Sequence, residues 1–142
     1  MEQSKPLMLT IKRLEKEWSR YLRKVSVQIG MPDSYRQIIM YLSRNPGANQ
    51  KQIAEFSHMT NAAISQTIKE MILSGYVIKE SDMNDQRYYK LYLTDKAREN
   101  VEIIREKIYA TDDFITKIVT PQKEAEIVDV LTNLAEIIKK EM

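Results

Sequence analysis

Backbone breakers are scarce in this chain, and where they fall divides it. Three glycines and four prolines are present, and they gather at Gly30-Met31-Pro32, Asn45-Pro46-Gly47, Gly75 and Thr120-Pro121. Glycine and proline interrupt regular elements for backbone reasons, so the stretches between these points are the candidate elements. From Leu7 to Ile29 the apolar residues Leu7, Ile11, Leu14, Trp18, Tyr21, Leu22, Val25 and Ile29 recur at helical spacing, which predicts one long helix with a continuous stripe. After Pro32, the residues Tyr35, Ile38, Ile39 and Leu42 share a face of a second helix. Asn49, with Gln52 three residues on, has the pattern of a reciprocal helix cap and opens a short third helix carrying Ile53, Ala54 and Phe56. Thr60 is the expected cap of a fourth helix that runs to Ser74, ahead of Gly75.

The period then changes. Tyr76-Val77-Ile78-Lys79 is β-prone, and Ser81 to Gln86 is polar and turn-like. Tyr88 to Leu93 alternates, with Tyr89, Leu91 and Leu93 on one side. Two short strands around a loop are expected. Thr94 caps a long fifth helix with Ala97, Val101, Ile104, Ile108, Ile115 and Ile118 in one stripe. Thr120-Pro121 opens a sixth, whose face is Ile127, Val128, Leu131, Leu134, Ala135 and Ile138. The order implies a mainly α chain with a small β-hairpin: a winged helix-turn-helix with long N- and C-terminal helices. Residues 1–32 are expected to form an N-terminal dimerisation helix, 33–96 the DNA-binding lobe and 97–142 the C-terminal dimerisation helices. The long helices carry more apolar surface than one chain of this size covers, so a homodimer is expected.

Composition removes several classes of function. There is no cysteine, which excludes disulfides, thiol catalysis and thiol redox sensing. A single histidine, His58, excludes a multi-histidine metal cage within one chain; in the turn between the third and fourth helices it suits a surface hydrogen bond or a phosphate. No cofactor is implied. No glycine-rich phosphate loop or histidine-based dyad is present, and Asp112-Asp113 reads as a solvated turn, so an enzyme is not expected. No apolar run is long enough for a bilayer, and Met1 to Leu7 is polar without a signal-peptide core, so a cytoplasmic protein with no membrane partner is expected. Residues 33–97 hold eight Lys/Arg against seven Asp/Glu. Any contact with DNA there depends on where a few cations are placed, not on bulk charge.

The fourth helix has two unlike faces. Ile64, Ile68, Met71 and Ile72 form an apolar one; Asn61, Ala62, Ser65, Gln66 and Lys69 lie opposite. A merely solvated face is usually rich in Glu and Lys. This one is small and hydrogen-bonding near its N-terminus, as a helix entering the major groove must be. Ala62 and Ser65 permit close approach, and Asn61 and Gln66 each suit bidentate pairing with adenine. Arg87 stands at the end of the polar loop, two residues after Asp85. A guanidinium there can enter a narrow minor groove, with Asp85 orienting it. As an isolated surface pair it would contribute little.

Taken together, Ile53-Ala54-Glu55, Ala62-Ala63-Ile64-Ser65-Gln66, Gly75-Tyr76-Val77, Asp85-Gln86-Arg87 and Leu91-Tyr92-Leu93-Thr94 resemble the MarR family of bacterial regulators. The Asp-x-Arg wing followed by Leu-x-Leu-Thr carries the likeness, which extends over nearly the whole chain. It implies a homodimer on palindromic double-stranded promoter DNA, usually a repressor relieved by a small ligand. It places Arg87 at the wing tip, Asp85 as its supporting acid and Ser65 at a reading-helix position. Gln66 stands where the family commonly has arginine, Lys79 where the strand often has arginine and Ala97 where glycine is frequent. Lys79 still suits a phosphate. The resemblance also implies a pocket for a small aromatic ligand between the dimer arm and the lobe, with Trp18, Tyr21, Met40 and Tyr41 as candidates; aromatic residues at helical spacing otherwise belong to a core. The competing reading is a winged-helix module that binds protein rather than DNA.

Overall fold

A computed structural model of the chain describes residues 6–57, 59–81 and 89–142. The elements are α1 (Leu7–Gln28), a 3-10 turn (Asp33–Tyr35), α2 (Arg36–Arg44), α3 (Gln50–Phe56), α4 (Asn61–Leu73), β1 (Val77–Ser81), β2 (Tyr89–Leu93), α5 (Asp95–Val119) and α6 (Pro121–Glu141). The chain is thus mainly helical with one two-stranded antiparallel sheet, a winged helix-turn-helix. It divides into two compact units, residues 1–104 and 105–142.

Local chemistry sets the ends of the short helices. Asn49 Oδ1 accepts from the Gln52 amide and Gln52 Oε1 accepts from the Asn49 amide, both at 2.9 Å, so two orphan donors of α3 are satisfied. Thr60 Oγ1 accepts from the Ala63 amide at 3.1 Å and starts α4. A cap of this kind contributes about 1 kcal/mol. At the far end of α4, the Tyr76 amide donates to the Met71 carbonyl at 2.8 Å and the Gly75 amide to that of Ile72 at 3.2 Å. This double closure needs a left-handed residue, which Gly75 supplies at φ +81°.

The core of the first unit gathers one face from each element. Ile38, Ile39 and Leu42 of α2, Ile53 of α3, Ile64, Ile68 and Met71 of α4, Leu91 and Leu93 of β2, and Ala97, Val101 and Ile104 of α5 are all buried. Full burial of such a side chain stabilises by about 1.5–3 kcal/mol, so the α4 face alone commits that helix to one orientation. The hairpin pairs Val77 with Leu93 and Lys79 with Leu91. It is fastened to the turn before α3, where the Gly47 amide donates to the Leu91 carbonyl at 2.9 Å and the Leu91 amide to that of Ala48 at 3.0 Å. Gly47 has φ +84°, and a Cβ there would lie 3.0 Å from the Tyr92 hydroxyl oxygen. Gly47→Ala is therefore expected to cost about 1–3 kcal/mol and lower the melting temperature by several degrees. Gly75→Ala, strained in φ but with nothing within 4 Å of the added carbon, should cost less. Parallel thermal melts of the two variants check the ordering.

The stripe of α1 is not continuously covered. Leu22 and Val25 are buried, whereas Leu7 and Leu14 are exposed. The buried residues of this helix, Leu22, Val25 and Ser26, all lie in its last two turns. In the second unit α6 has no buried residue, and Ile115, Ile118, Ile127, Val128, Leu131 and Ile138 all remain exposed. Asp112 and Asp113, expected in a turn, lie inside α5, because the apolar stripe on either side carries the helix through them. A side-chain hydrogen bond with Glu124, then desolvation and charge repulsion by the same group, raise the Asp112 carboxyl above its ordinary value. Glu124 also accepts a hydrogen bond from Thr116.

Candidate nucleic-acid interface

The two faces of α4 separate cleanly. With Ile64 and Met71 fully buried, the opposite side leaves Ala62, Gln66 and Lys69 exposed; Ser65 on the flank is half-buried, and Asn61, seven residues before Ile68, is exposed as the first residue of the helix. The Gln66 amide nitrogen donates to Glu70 at 3.3 Å, a solvent-exposed bond that a better acceptor can replace. The C-terminal end of α4 is held by several groups. Lys96 of α5 donates to the Ser74 carbonyl at 3.2 Å and lies 4.4 Å from the Tyr76 ring centre. Tyr76 packs edge-on against Tyr35 at 5.2 Å. A cation at the negative end of the helix dipole is favourable, and here it also ties α4 to α5.

Between α4 and the hairpin lies an open cleft of about 530 Å³. Asn61, Ser65 and Lys69 of α4 line it, together with Lys79 of β1, so four residues singled out from the sequence are brought together. Ala62 and Gln66 belong to the same exposed face of α4 but do not line the cleft. Asn49, Gln50 and Lys51 from the start of α3 and Tyr89 from β2 line it as well, and the sequence reading did not find them as site residues. Nothing in their spacing could have shown it, since their placement depends on the backbone pairing of the α2–α3 turn with β2. Lys79 Nζ lies 3.7 Å from the centre of the Tyr89 ring. Asp85, Arg87 and His58 lie outside the described residues.

The four aromatic-ligand candidates sit in two separate settings. Trp18 and Tyr21 stack on each other at 5.5 Å along α1. Tyr41 stacks at 4.7 Å on Phe56, whose ring has the Arg44 guanidinium at 5.9 Å. Met40 is half-buried on α2. None of the four lines the cleft beside α4.

Comparison with known proteins agrees with this architecture. Residues 29–87, from the residue after α1 to beyond the end of β1, match the model of the MarR family. The HTH-type transcriptional regulator BilQ of Clostridioides difficile (strain CD3) is 24% identical over 115 residues, covering 81% of this chain and 78% of that protein. A MarR transcriptional regulator from Methanosarcina mazei Go1 superposes with a TM-score of 0.84 at 20% identity, over 96% of this chain and 98% of the other. The transcriptional repressor CouR bound to a 23-mer DNA duplex gives 0.77 at 20% identity over 94% and 99%. NadR in complex with 4-hydroxyphenylacetate gives 0.78 at 20% over 96% and 97%. At these identities the structural likeness establishes the fold. No helix among the described residues is long and apolar enough to cross a membrane.

Proposed function

We propose that the chain is a transcriptional regulator of the MarR family and not an enzyme: a homodimeric, sequence-specific DNA-binding protein acting on palindromic promoter DNA in the cytoplasm. The observation that carries this is the exposed face of α4: small, uncharged at its N-terminal end and held rigidly by a buried opposite face. Such a helix reaches base edges in the major groove without a steric or charge barrier. Two copies on a two-fold axis set half-sites ~10 bp apart, centre to centre. Repression relieved by a small aromatic ligand is the regulatory mode we propose. Support comes from a repressor and a 4-hydroxyphenylacetate complex among proteins of the same fold, and from the Trp18–Tyr21 and Tyr41–Phe56 stacks. A thermal-shift screen with small aromatic acids tests this part.

Base reading is tested by substitution on α4. Gln66→Ala is expected to weaken operator binding by ~1–3 kcal/mol and to relax preference at one base pair in each half-site. Lys69→Ala should weaken every sequence alike, as loss of a phosphate contact does. Selection of bound duplexes from a random pool, followed by sequencing, separates the two. An unchanged preference for Gln66→Ala would make Gln66 a solvated surface residue.

A further inference from the structure

We propose that the joint between the end of α4 and the first turn of α5, with Lys96 as its positioning residue, fixes the direction of the reading helix and thereby the spacing of half-sites that the dimer accepts. This rests on the homodimeric DNA-binding function proposed above. Three successive backbone carbonyls leave the end of α4, and each is taken by a residue at the start of α5 or just before it. The Lys96 ammonium donates to the Ser74 carbonyl at 3.2 Å, the Thr94 hydroxyl to that of Gly75 at 2.6 Å and the Thr94 amide to that of Tyr76 at 3.1 Å. Carbonyls at a helix end lack partners within the helix. Here they dock one element on another.

The lysine is held from two sides. Its ammonium lies 4.4 Å from the centre of the Tyr76 ring as well as against the Ser74 carbonyl. That ring is fixed, because Tyr76 is buried and packs edge-on against the buried Tyr35 at 5.2 Å. The Ser74 hydroxyl donates to the Tyr35 hydroxyl at 3.4 Å, so the 3-10 turn enters the same joint. A cation over an aromatic face and at the negative end of a helix dipole is favoured twice by charge. Along its length α4 packs chiefly on α3, β1 and the 3-10 turn. None of these is among the long helices expected to form the dimer, whereas α5 is. The start of α5 is itself anchored, with Ala97, Asn100, Val101 and Ile104 buried. The hydrogen bonds from Thr94 and Lys96 therefore pass the direction of α5 to α4. In a homodimer a stiff link of this kind sets the separation and relative turn of the two reading helices, so one half-site spacing fits best. A loose link accepts more spacings and weakens the best one, because the helix must then be ordered on binding.

The test uses the full chain. Duplexes bound by the wild type, Lys96→Met, Lys96→Arg and Arg98→Met are selected from a random pool and sequenced. The wild-type operator is then titrated by anisotropy as it stands and with one base pair inserted at its centre. The wild type should select one spacing. The insertion turns one half-site by about 35° against the other and should forfeit much of the avidity of two linked lobes. Lys96→Met keeps the stem without the ammonium. It should select several spacings, and its penalty for the insertion should be smaller by about tenfold, the scale of one charge-assisted hydrogen bond. Lys96→Arg, which restores a donor and a cation over the ring, should restore the penalty. Arg98→Met removes an equal charge two residues on, from a side chain paired with Asp95 at 2.6 Å, and should keep the wild-type spacing. Lys96 is exposed, so circular dichroism should find every variant folded at the assay temperature. A Lys96→Met protein that unfolds there, or binds with the wild-type spacing and penalty, would overturn the joint and leave the DNA-binding function standing. A defect in Lys96→Arg equal to that of Lys96→Met would overturn the role of the cation, and the same broadening in Arg98→Met would trace it to net charge and overturn it as well. Failure of the wild type to select paired half-sites would overturn the dimeric DNA-binding function and the joint with it.

Discussion

Replacing Leu131 and Ile138 together by lysine is expected to convert a dimer into a monomer and to abolish operator binding at concentrations that saturate the wild type. Both residues lie on the apolar face of α6, seven apart and therefore two turns along the same side of the helix. They are 37% and 39% exposed, and α6 as a whole buries no residue within one chain. A two-fold interface uses the same patch on both protomers, so each substitution acts twice. Losing about 1.5–3 kcal/mol of apolar burial at each position already exceeds what most dimers can spare, and a lysine placed there must also be desolvated. DNA binding falls for a second reason. Two linked lobes engage a palindrome with an avidity gain of about 10²–10⁴, and a monomer forfeits it. Light scattering of wild type and variant at micromolar concentration, followed by operator titration, checks both parts. A wild-type monomer, or a variant that remains dimeric, would reject the proposed assembly.

The other large effect belongs to Arg87. Arg87→Ala is expected to lower operator affinity by ~1–3 kcal/mol per half-site while leaving the major-groove consensus intact. The residue lies outside the described residues, and the expectation comes from its place in the sequence, two residues after Asp85 in the polar stretch between Ser81 and Tyr89. An arginine in a narrow A·T-rich minor groove gains from the concentrated negative potential there. It discriminates little, because A·T and T·A present the same acceptors on that side. Loss of the cation should also reduce the salt slope by about one per half-site. Arg87→Lys should restore only part of the affinity, and Asp85→Ala should give a milder defect with folding preserved. Titration of wild type and Arg87→Ala at several salt concentrations decides it. Equal affinity and equal slope would mean that the wing does not touch DNA, and a protein-binding lobe would become the better explanation.

What could be read without coordinates was encoded over short distances. The Asn49–Gln52 cap, the Thr60 cap, the Gly75 stop and the Thr120-Pro121 start each act within a few residues of themselves, and all are found where expected. The two-faced character of α4 is equally local, since helical spacing alone assigns Ile64, Ile68 and Met71 to one side and Ala62, Gln66 and Lys69 to the other. Asp112-Asp113 shows the limit of that approach: a polar pair suggests a turn, but the apolar stripe through Ile108, Ile115 and Ile118 keeps the helix intact. Tertiary structure alone decided which cations share a cleft. The sequence singles out Lys69 and Lys79 separately and Lys51 not at all, and the three stand on three elements with no common period. They meet because two backbone hydrogen bonds pair the α2–α3 turn with β2 and because the buried faces of α2, α3 and α4 pack into one core. Pairings between distant segments are chosen by the closure of the whole core, so no local window of residues contains them.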